Sequence, residues 1–183
     1  MFRTPGHLSL LLLLVLAACG REEARTDFDP DSPAGVAAGL GVQNVAAPLP
    51  GLVTAAQPTR EQVETMMARG YRSFVSLQLE EEPGAGWEEE GVAGSGGRFA
   101  RIPVAGPDDL TRENVERLAA ILAEVGDEPT VLYCASSNRV GALLALKAYW
   151  LDGADEEDAL ALGRRAGLRA LEPSVRSLFA EGR

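Results

Sequence analysis

The segment that most constrains the fold is residues 131–150, which reads VLYCASSNRVGALLALKAYW. An apolar run ends at Cys134, a short polar loop follows, and an apolar helical stretch begins directly after Arg139. This order predicts a buried strand, a tight loop and a helix that packs back onto the sheet. We predict the strand at residues 130–133 and the helix at residues 140–151.

The loop between this strand and this helix is suited to holding an anion. Backbone N–H groups of the loop and of the first helical turn lack intrahelical partners, and the helix dipole adds partial positive charge. Arg139 can add a bidentate contact to two phosphate oxygens. The same field favours a thiolate at Cys134, and a thiolate facing a bound tetrahedral anion is a nucleophile. The predicted phosphate-binding residues are Ala135, Ser136, Ser137, Asn138 and Arg139. The alternative for Cys134 is a buried core cysteine.

The chain from about Val42 onward alternates between strand and helix signals. Thr59 and Gln62 have the spacing of a capping box, and Thr111 and Gly126 bound a helix with an apolar stripe. Strands are predicted at residues 43–45, 52–55, 73–77 and 99–104, and further helices at residues 155–166 and 173–180. The acidic stretch 79–97 is interpreted as a solvated loop with a short helix near Trp87. This alternation predicts an α/β domain at residues 42–183, with a mostly parallel central sheet flanked by helices.

Histidine content and charge exclude several classes of function. The only histidine is His7, so the predicted domain has no Ser-His-Asp or Cys-His catalysis and no histidine metal site. We expect neither a metal nor a cofactor. The chain has 17 basic and 27 acidic residues, a net charge of −10, which argues against nucleic-acid binding. No apolar run reaches 18 residues, so no membrane-spanning helix is predicted.

The N-terminus has the features of a bacterial lipoprotein signal. Arg3 precedes an apolar run at residues 8–16, which as a helix of about 14 Å is too short to cross a bilayer. The following Leu-Ala-Ala-Cys resembles a lipobox that ends at Cys19. We predict a signal peptide at residues 1–18, lipidation of Cys19 and a flexible tether at residues 19–41. Gly20 after the cysteine favours the outer membrane, with the domain facing the periplasm. An ordinary signal peptide is the alternative.

The loop of residues 134–143, CASSNRVGAL, resembles the active-site loop of the bacterial dual-specificity and tyrosine phosphatase-like family. This family is related to the phosphatase-like domain of beta-lactamase hydrolase-like proteins. The resemblance runs from about Val42 to the C-terminus and includes Gln57-Pro58, Ile102-Pro103-Val104 and Leu171-Glu172-Pro173. It implies the cysteine-phosphatase fold, a phosphocysteine intermediate on Cys134, and phosphoryl oxygens held by Arg139.

The resemblance also implies a general acid in a loop ahead of the cysteine. Asp108 follows the strand predicted at residues 99–104, and we identify it as the candidate acid, with Asp109 beside it as the second choice. The alternative is that both acidic side chains only favour the N-terminus of the helix capped by Thr111.

The loop departs from the family pattern at several positions. Four residues separate Cys134 from Arg139 where most cysteine phosphatases have five, and Val140 replaces a common Ser or Thr. Tyr133 stands where many have His, and Ser137 stands where Gly is common. We predict a membrane-anchored cysteine-dependent phosphatase that acts on a phosphorylated protein or a small phosphoester. The alternatives are a rhodanese-like sulfurtransferase, whose loop is also four residues long, and a non-catalytic lipoprotein that binds anions or a partner.

Overall fold

The structure of the protein is a computed structural model that describes residues 28–182. The strands are β1 (Ala46–Leu49), β2 (Leu52–Ala56), β3 (Ser73–Ser76), β4 (Arg98–Arg101) and β5 (Thr130–Cys134). The helices are α1 (Pro33–Gly39), α2 (Arg60–Ala68), α3 (Glu88–Gly94), α4 (Arg112–Val125), α5 (Asn138–Trp150), α6 (Glu156–Arg165) and α7 (Glu172–Ala180). A short 3₁₀ turn spans Pro107–Asp109.

The strands form one sheet in the order β1-β2-β5-β3-β4. Only the β1–β2 pair is antiparallel, and the other three pairs are parallel. In the register of the central strands, Cys134 pairs with Ala56 and Tyr133 pairs with Ser76. The carboxyl ends of β2, β3, β4 and β5 therefore meet at one edge, where open α/β sheets bind their ligands. This confirms the predicted α/β class with a mostly parallel sheet.

Two apolar layers cover the two faces of the sheet. Alternate residues of β5 point to opposite faces, so Leu132 packs with α4, α5, α6 and α7, whereas Val131 packs with α1, α2 and α3. Because β5 is central, all five of its residues are buried. This double burial explains why the strand is continuously apolar in sequence rather than alternating.

The local signals at helix ends correctly located most of the helices. Thr59 and Gln62 form both bonds of the capping box, at 3.2 Å and 2.8 Å. Thr111 accepts a hydrogen bond from the backbone of Asn114 at the start of α4, and Gly126, at φ 58°, ends that helix. These bonds satisfy backbone groups that a helix end leaves without partners, so a few residues are enough to predict the boundary.

The first strand lies three residues later than predicted. Residues 43–44 form a turn with Asn44 in the left-handed region at φ 53°, and β1 begins at Ala46. The strand contains Pro48, which is tolerated because β1 is an edge strand with one side free of ladder bonds.

The predicted tether is wrong over residues 33–39, which form α1. Ser32 caps this helix by accepting from the backbone of Gly35, and Ala34 and Ala37 are buried against the domain. The hydroxyl of Tyr71 donates to the carbonyl of Pro33. Small side chains let this short helix approach the core closely, although its Gly and Pro content is typical of a linker. The predicted signal peptide, Cys19 and the first part of the tether lie outside the described residues. No helix of residues 28–182 is long and apolar enough to cross a bilayer.

Candidate active site

Cys134 is the last residue of β5 and lies at the carboxyl edge of the sheet. It is fully buried, in the same core cluster as Val140 and Leu143 of α5. Three residues, 135–137, connect Cys134 to α5. Within residues 28–182 its thiol forms no disulfide. The thiol therefore lies at a strand–helix junction, directly below the N-terminus of the most buried helix.

The loop after Cys134 carries a set of free backbone donors. The N–H groups of residues 135–140 donate to no acceptor within the described part of the chain, and the first helical bond to this turn is from Gly141 to Ser137. Ser137 adopts the left-handed conformation, with φ 66°. A left-handed residue in such a turn curls successive N–H groups into a concave nest, which binds anions. The 13-residue α5 adds the positive end of its dipole at the same place.

Neighbouring segments hold Ser137 in this strained conformation. A left-handed conformation costs a non-glycine residue about 1–2 kcal/mol. Ser137 is fully buried. Gly167 packs so closely against it that a Cβ placed on Gly167 would lie 2.4 Å from the Cβ of Ser137. On the other side, the amide of Asn44 donates to the carbonyl of Ser136 at 3.2 Å. Because it is packed from both sides, the loop keeps one shape.

Asn138 connects the start of α5 to the segment before α7. Its side-chain oxygen accepts from the backbone N–H groups of Arg169, at 2.8 Å, and Leu171, at 3.3 Å. The side chain of this predicted phosphate-binding residue therefore faces the protein, which leaves its backbone N–H as the group available to an anion.

The side chain of Arg139 forms hydrogen bonds with three other segments at the carboxyl edge of the sheet. Its Nη1 donates to the carbonyl of Val104 at 2.6 Å and to that of Leu77 at 3.4 Å. Nη1 and Nη2 together donate to the two carboxylate oxygens of Glu82, at 2.5 Å and 2.7 Å. The guanidinium is therefore fixed in a bidentate ion pair.

The electrostatics of this pair follow from these contacts. The hydrogen bonds from Arg139 hold the pKa of Glu82 at about 2, well below its ordinary value of 4.5. The same bonds raise the pKa of Arg139 against the opposing effect of its partial burial, and the electrostatic effect of Cys134 acts in the same upward direction. Glu82 and Arg139 are thus both charged over the whole physiological range.

One edge of the guanidinium is still available for a ligand. Glu82 engages the edge formed by Nη1 and Nη2, whereas Nε donates to no acceptor within residues 28–182. The remaining edge, formed by Nε and the second hydrogen of Nη2, has the fork geometry that binds two oxygens of a phosphate. The contact to Glu82 therefore orients Arg139 without using all of its donors.

The two aspartates of the predicted acid loop have different roles in the structure. Asp109 accepts a hydrogen bond from the backbone of Ala105 at 2.7 Å, so it stabilises the loop that contains it. Asp108 is exposed and makes no hydrogen bond or ion pair with the described residues. The loop starts one residue after Val104, whose carbonyl binds Arg139, so it lies next to the site.

Sequence analysis did not identify Glu82 or Gln78 as residues of the site. Gln78 is fully buried, and its amide donates to Glu82 at 3.3 Å and to Gln57 at 3.2 Å. The acidic stretch predicted as a solvated loop also contains the buried Glu88, which pairs with Arg101 at 2.9 Å. Within this stretch, no local pattern separates a carboxylate that faces solvent from one that binds a distant arginine.

The sequence matches no protein-family model and no curated protein. The structure, in contrast, is similar to solved phosphatase structures. A candidate phosphatase of DUF442 from Shewanella putrefaciens is 18% identical, with a TM-score of 0.61, over 78% of this chain and 92% of the other. A candidate phosphatase from Neisseria meningitidis is 19% identical, with a TM-score of 0.59, over 73% and 94%.

A third similar structure is that of Tk-PTP in its active form. It is 16% identical, with a TM-score of 0.55, and the match covers 75% of this chain and 94% of that one. At these identities the likeness concerns the arrangement of the sheet and the helices. The chain has the α/β fold of the tyrosine and dual-specificity phosphatases.

Proposed function

We propose that this protein is a cysteine-dependent phosphatase. The observation that carries the proposal is that three features surround one strand–loop–helix junction: the thiol of Cys134, the backbone N–H groups of residues 135–140, and the fork of Arg139. The six N–H groups and the Nε of Arg139 have no acceptor among residues 28–182. Together they make a site for a tetrahedral anion with a nucleophile beneath it. The substrate is a phosphorylated protein or a small phosphoester.

The first step transfers the phosphoryl group to the enzyme. The Cys134 thiolate attacks phosphorus while the loop N–H groups and Arg139 bind the three equatorial oxygens, where the negative charge is distributed. Asp108, which is exposed and has no competing partner among residues 28–182, donates its proton to the leaving oxygen. The products are an alcohol or phenol and a phosphocysteine.

The second step hydrolyses the phosphocysteine. Asp108, now ionised, accepts a proton from a water molecule that attacks phosphorus, and the thiolate of Cys134 leaves. Related phosphatases assist this departure with a hydroxyl after the arginine, but this chain has the fully buried Val140 there. Breakdown of the intermediate is therefore the slow step in the proposed reaction.

Hydrolysis of p-nitrophenyl phosphate between pH 5 and pH 8 tests the proposal. We expect turnover by the wild-type protein, none by Cys134→Ser, and a 10- to 100-fold loss for Arg139→Lys, which keeps the charge but not the fork. Asp108→Asn lowers kcat by about 100-fold, whereas the matched variant Asp109→Asn, which can still accept from Ala105, retains activity.

Two further measurements identify the competing functions. Transfer of sulfur from thiosulfate to cyanide, lost in Cys134→Ser, would make the protein a sulfurtransferase. Vanadate binding without turnover of either substrate would make it an anion-binding protein.

We also propose that the domain is anchored to the bacterial envelope through lipid on Cys19. The support is the sequence of residues 1–20 alone, and it favours the outer membrane with the domain in the periplasm. Incorporation of radiolabelled palmitate into the wild-type protein but not into Cys19→Ser tests the anchor. Equal labelling of the two proteins contradicts it.

A further inference from the structure

An apolar groove of about 410 Å³ lies between α1 and the hairpin of β1 and β2. Pro33 and Ala34 of α1 form one side, and residues 47–53 form the other. Phe28, the first residue that the structure describes, also lines the groove. The volume lies within the range of protein pockets that enclose small ligands.

The lining of the groove offers almost no polar partner to a ligand. None of the described residues that form it is charged, although 24% of the chain is Asp, Glu, Lys or Arg. Its one polar side chain, Ser32, is already engaged, because its hydroxyl donates to the carbonyl of Asp29 at 2.6 Å and accepts from the N–H of Gly35 at 3.1 Å. A ligand that needs hydrogen bonds gains none from these side chains, whereas a hydrocarbon buries its surface without a polar cost.

The lining also favours a hydrocarbon chain over a peptide. A docked peptide strand needs N–H and C=O partners along the edge with which it pairs. Three of the residues that line the groove are prolines, which have no N–H: Pro33, Pro48 and Pro50. The groove is concave, so it fits a flexible chain that enters it better than it fits the flat surface of a bilayer.

The part of the chain that leads to the groove carries the proposed lipid. Cys19 is nine residues before Phe28. A segment of this length spans at most about 30 Å, so a lipid on Cys19 stays within that distance of the groove. Residues 28–39, which join Cys19 to the sheet, themselves supply Phe28 and one side of the groove. The groove is therefore formed partly by the segment that connects it to the anchor.

We propose that this groove binds an acyl chain of the lipid carried by Cys19. The inference rests on the proposed lipidation of Cys19 and goes beyond it, since it gives one chain of the anchor a binding site besides the bilayer. Residues 51–53 line the groove at the amino end of β2, whereas Ala56, at the carboxyl end, pairs with Cys134. The bound chain therefore leaves the proposed active site open, and it holds the β1 side of the domain toward the anchor.

Photocrosslinking of the lipidated, full-length protein in native membranes tests this inference. Bacteria that produce the protein are grown with a fatty acid that carries a diazirine near its end, so that the lipid on Cys19 contains the label, and the membranes are irradiated. We expect an intramolecular adduct that joins the peptide containing Cys19 to a peptide within residues 28–34 or 47–53. This measurement does not depend on phosphatase activity.

A charge placed in the groove should displace the acyl chain. Ala47 is exposed and lines the groove, so Ala47→Glu adds a carboxylate there without disturbing the core, and we expect at least tenfold less adduct. Ala38→Glu is the matched control, because Ala38 is also exposed but does not line the groove, and this variant keeps the wild-type yield. Ala47→Trp, which fills the groove with an apolar side chain, should lower the yield as strongly as Ala47→Glu. Circular dichroism melts show whether each variant is folded.

Three results overturn the proposal: labelled wild-type protein without an adduct in the groove, equal yields from Ala47→Glu and Ala38→Glu, or an adduct of a separate fatty acid or phospholipid in place of the intramolecular one. The last result would mean that the groove takes lipid from the membrane. Uptake of the labelled fatty acid by wild type but not by Cys19→Ser is scored separately. Labelled protein without a groove adduct contradicts the groove alone, whereas protein without label contradicts the anchor as well.

Discussion

At the scale of single residues, Glu82 fixes the orientation of Arg139, and in the proposed reaction this orientation turns the free edge of the guanidinium toward the substrate. We expect Glu82→Gln to lower kcat/KM for p-nitrophenyl phosphate by roughly five- to tenfold, because a partly exposed ion pair contributes about 1 kcal/mol to orientation. Glu81→Gln is the control, since Glu81 is exposed and has no partner among the described residues. A rise in kcat/KM on losing Glu82 would mean that its carboxylate competes with phosphate for Arg139.

A second prediction at this scale concerns Val140 and the rate at which the proposed phosphocysteine breaks down. Threonine has nearly the same volume and brings a hydroxyl that can donate to the departing Cys134 thiolate. A hydrogen bond to a charged group contributes about 1.5–3 kcal/mol, so we expect Val140→Thr to accelerate breakdown of phosphocysteine by about tenfold or more. The measurement is the burst of p-nitrophenol in stopped flow, which should shrink as the steady-state rate rises.

Val140→Ala separates the effect of the hydroxyl from that of lost volume. Val140 is fully buried, so the alanine variant loses packing without gaining a donor. If the threonine variant is folded and its steady-state rate stays at the wild-type value, the hydroxyl does not assist the leaving sulfur.

At the scale of elements, the contact of α1 with the domain depends on Tyr71. Burial raises the pKa of Tyr71 to about 12, so its hydroxyl is protonated at neutral pH and donates to Pro33. Tyr71→Phe leaves that carbonyl without its donor, and we expect a loss of about 1 kcal/mol in the free energy of unfolding. Faster hydrogen exchange should be confined to residues 33–39, with α7 unchanged. Uniformly faster exchange would show that α1 unfolds only with the whole domain.

The elements also show which parts of the structure could be predicted from the sequence. Helix α2 was predictable because Thr59 and Gln62 act on backbone groups three residues away, and β5 because burial on both faces makes it continuously apolar. Helix α1 was not, because its short Ala-Gly sequence has weak propensity and is stabilised mainly by tertiary contacts. The strand–loop–helix order around Cys134 and Arg139 was predictable from the sequence, whereas the roles of these two residues stay a prediction. Glu82 was missed because it is 57 residues from the arginine it binds.

At the scale of the whole molecule, two carboxylates connect separate parts of the chain through arginine. Glu82 joins the loop after β3 to α5, and Glu172 joins α7 to α6 through Arg164. Hydrogen bonds from their arginine partners hold the pKa of each carboxylate at about 2, below the ordinary 4.5. In the unfolded chain both groups take up protons near pH 4.5, whereas in the folded chain they resist protonation until about pH 2.

This difference predicts how stability depends on pH. Because the unfolded state binds more protons between about pH 4.5 and pH 2, the contribution of these pairs is complete above that range and is lost as the pH falls through it. We expect the double variant Glu82→Gln/Glu172→Gln to have a lower free energy of unfolding than wild type in urea at pH 6. The difference between the two free energies should narrow steadily toward pH 2. A gap that is the same at pH 6 and pH 2.5 would mean that the variants act through lost packing rather than lost charge. In that case the charges of the ion pairs would not contribute to stability, and the pairs would contribute to geometry only.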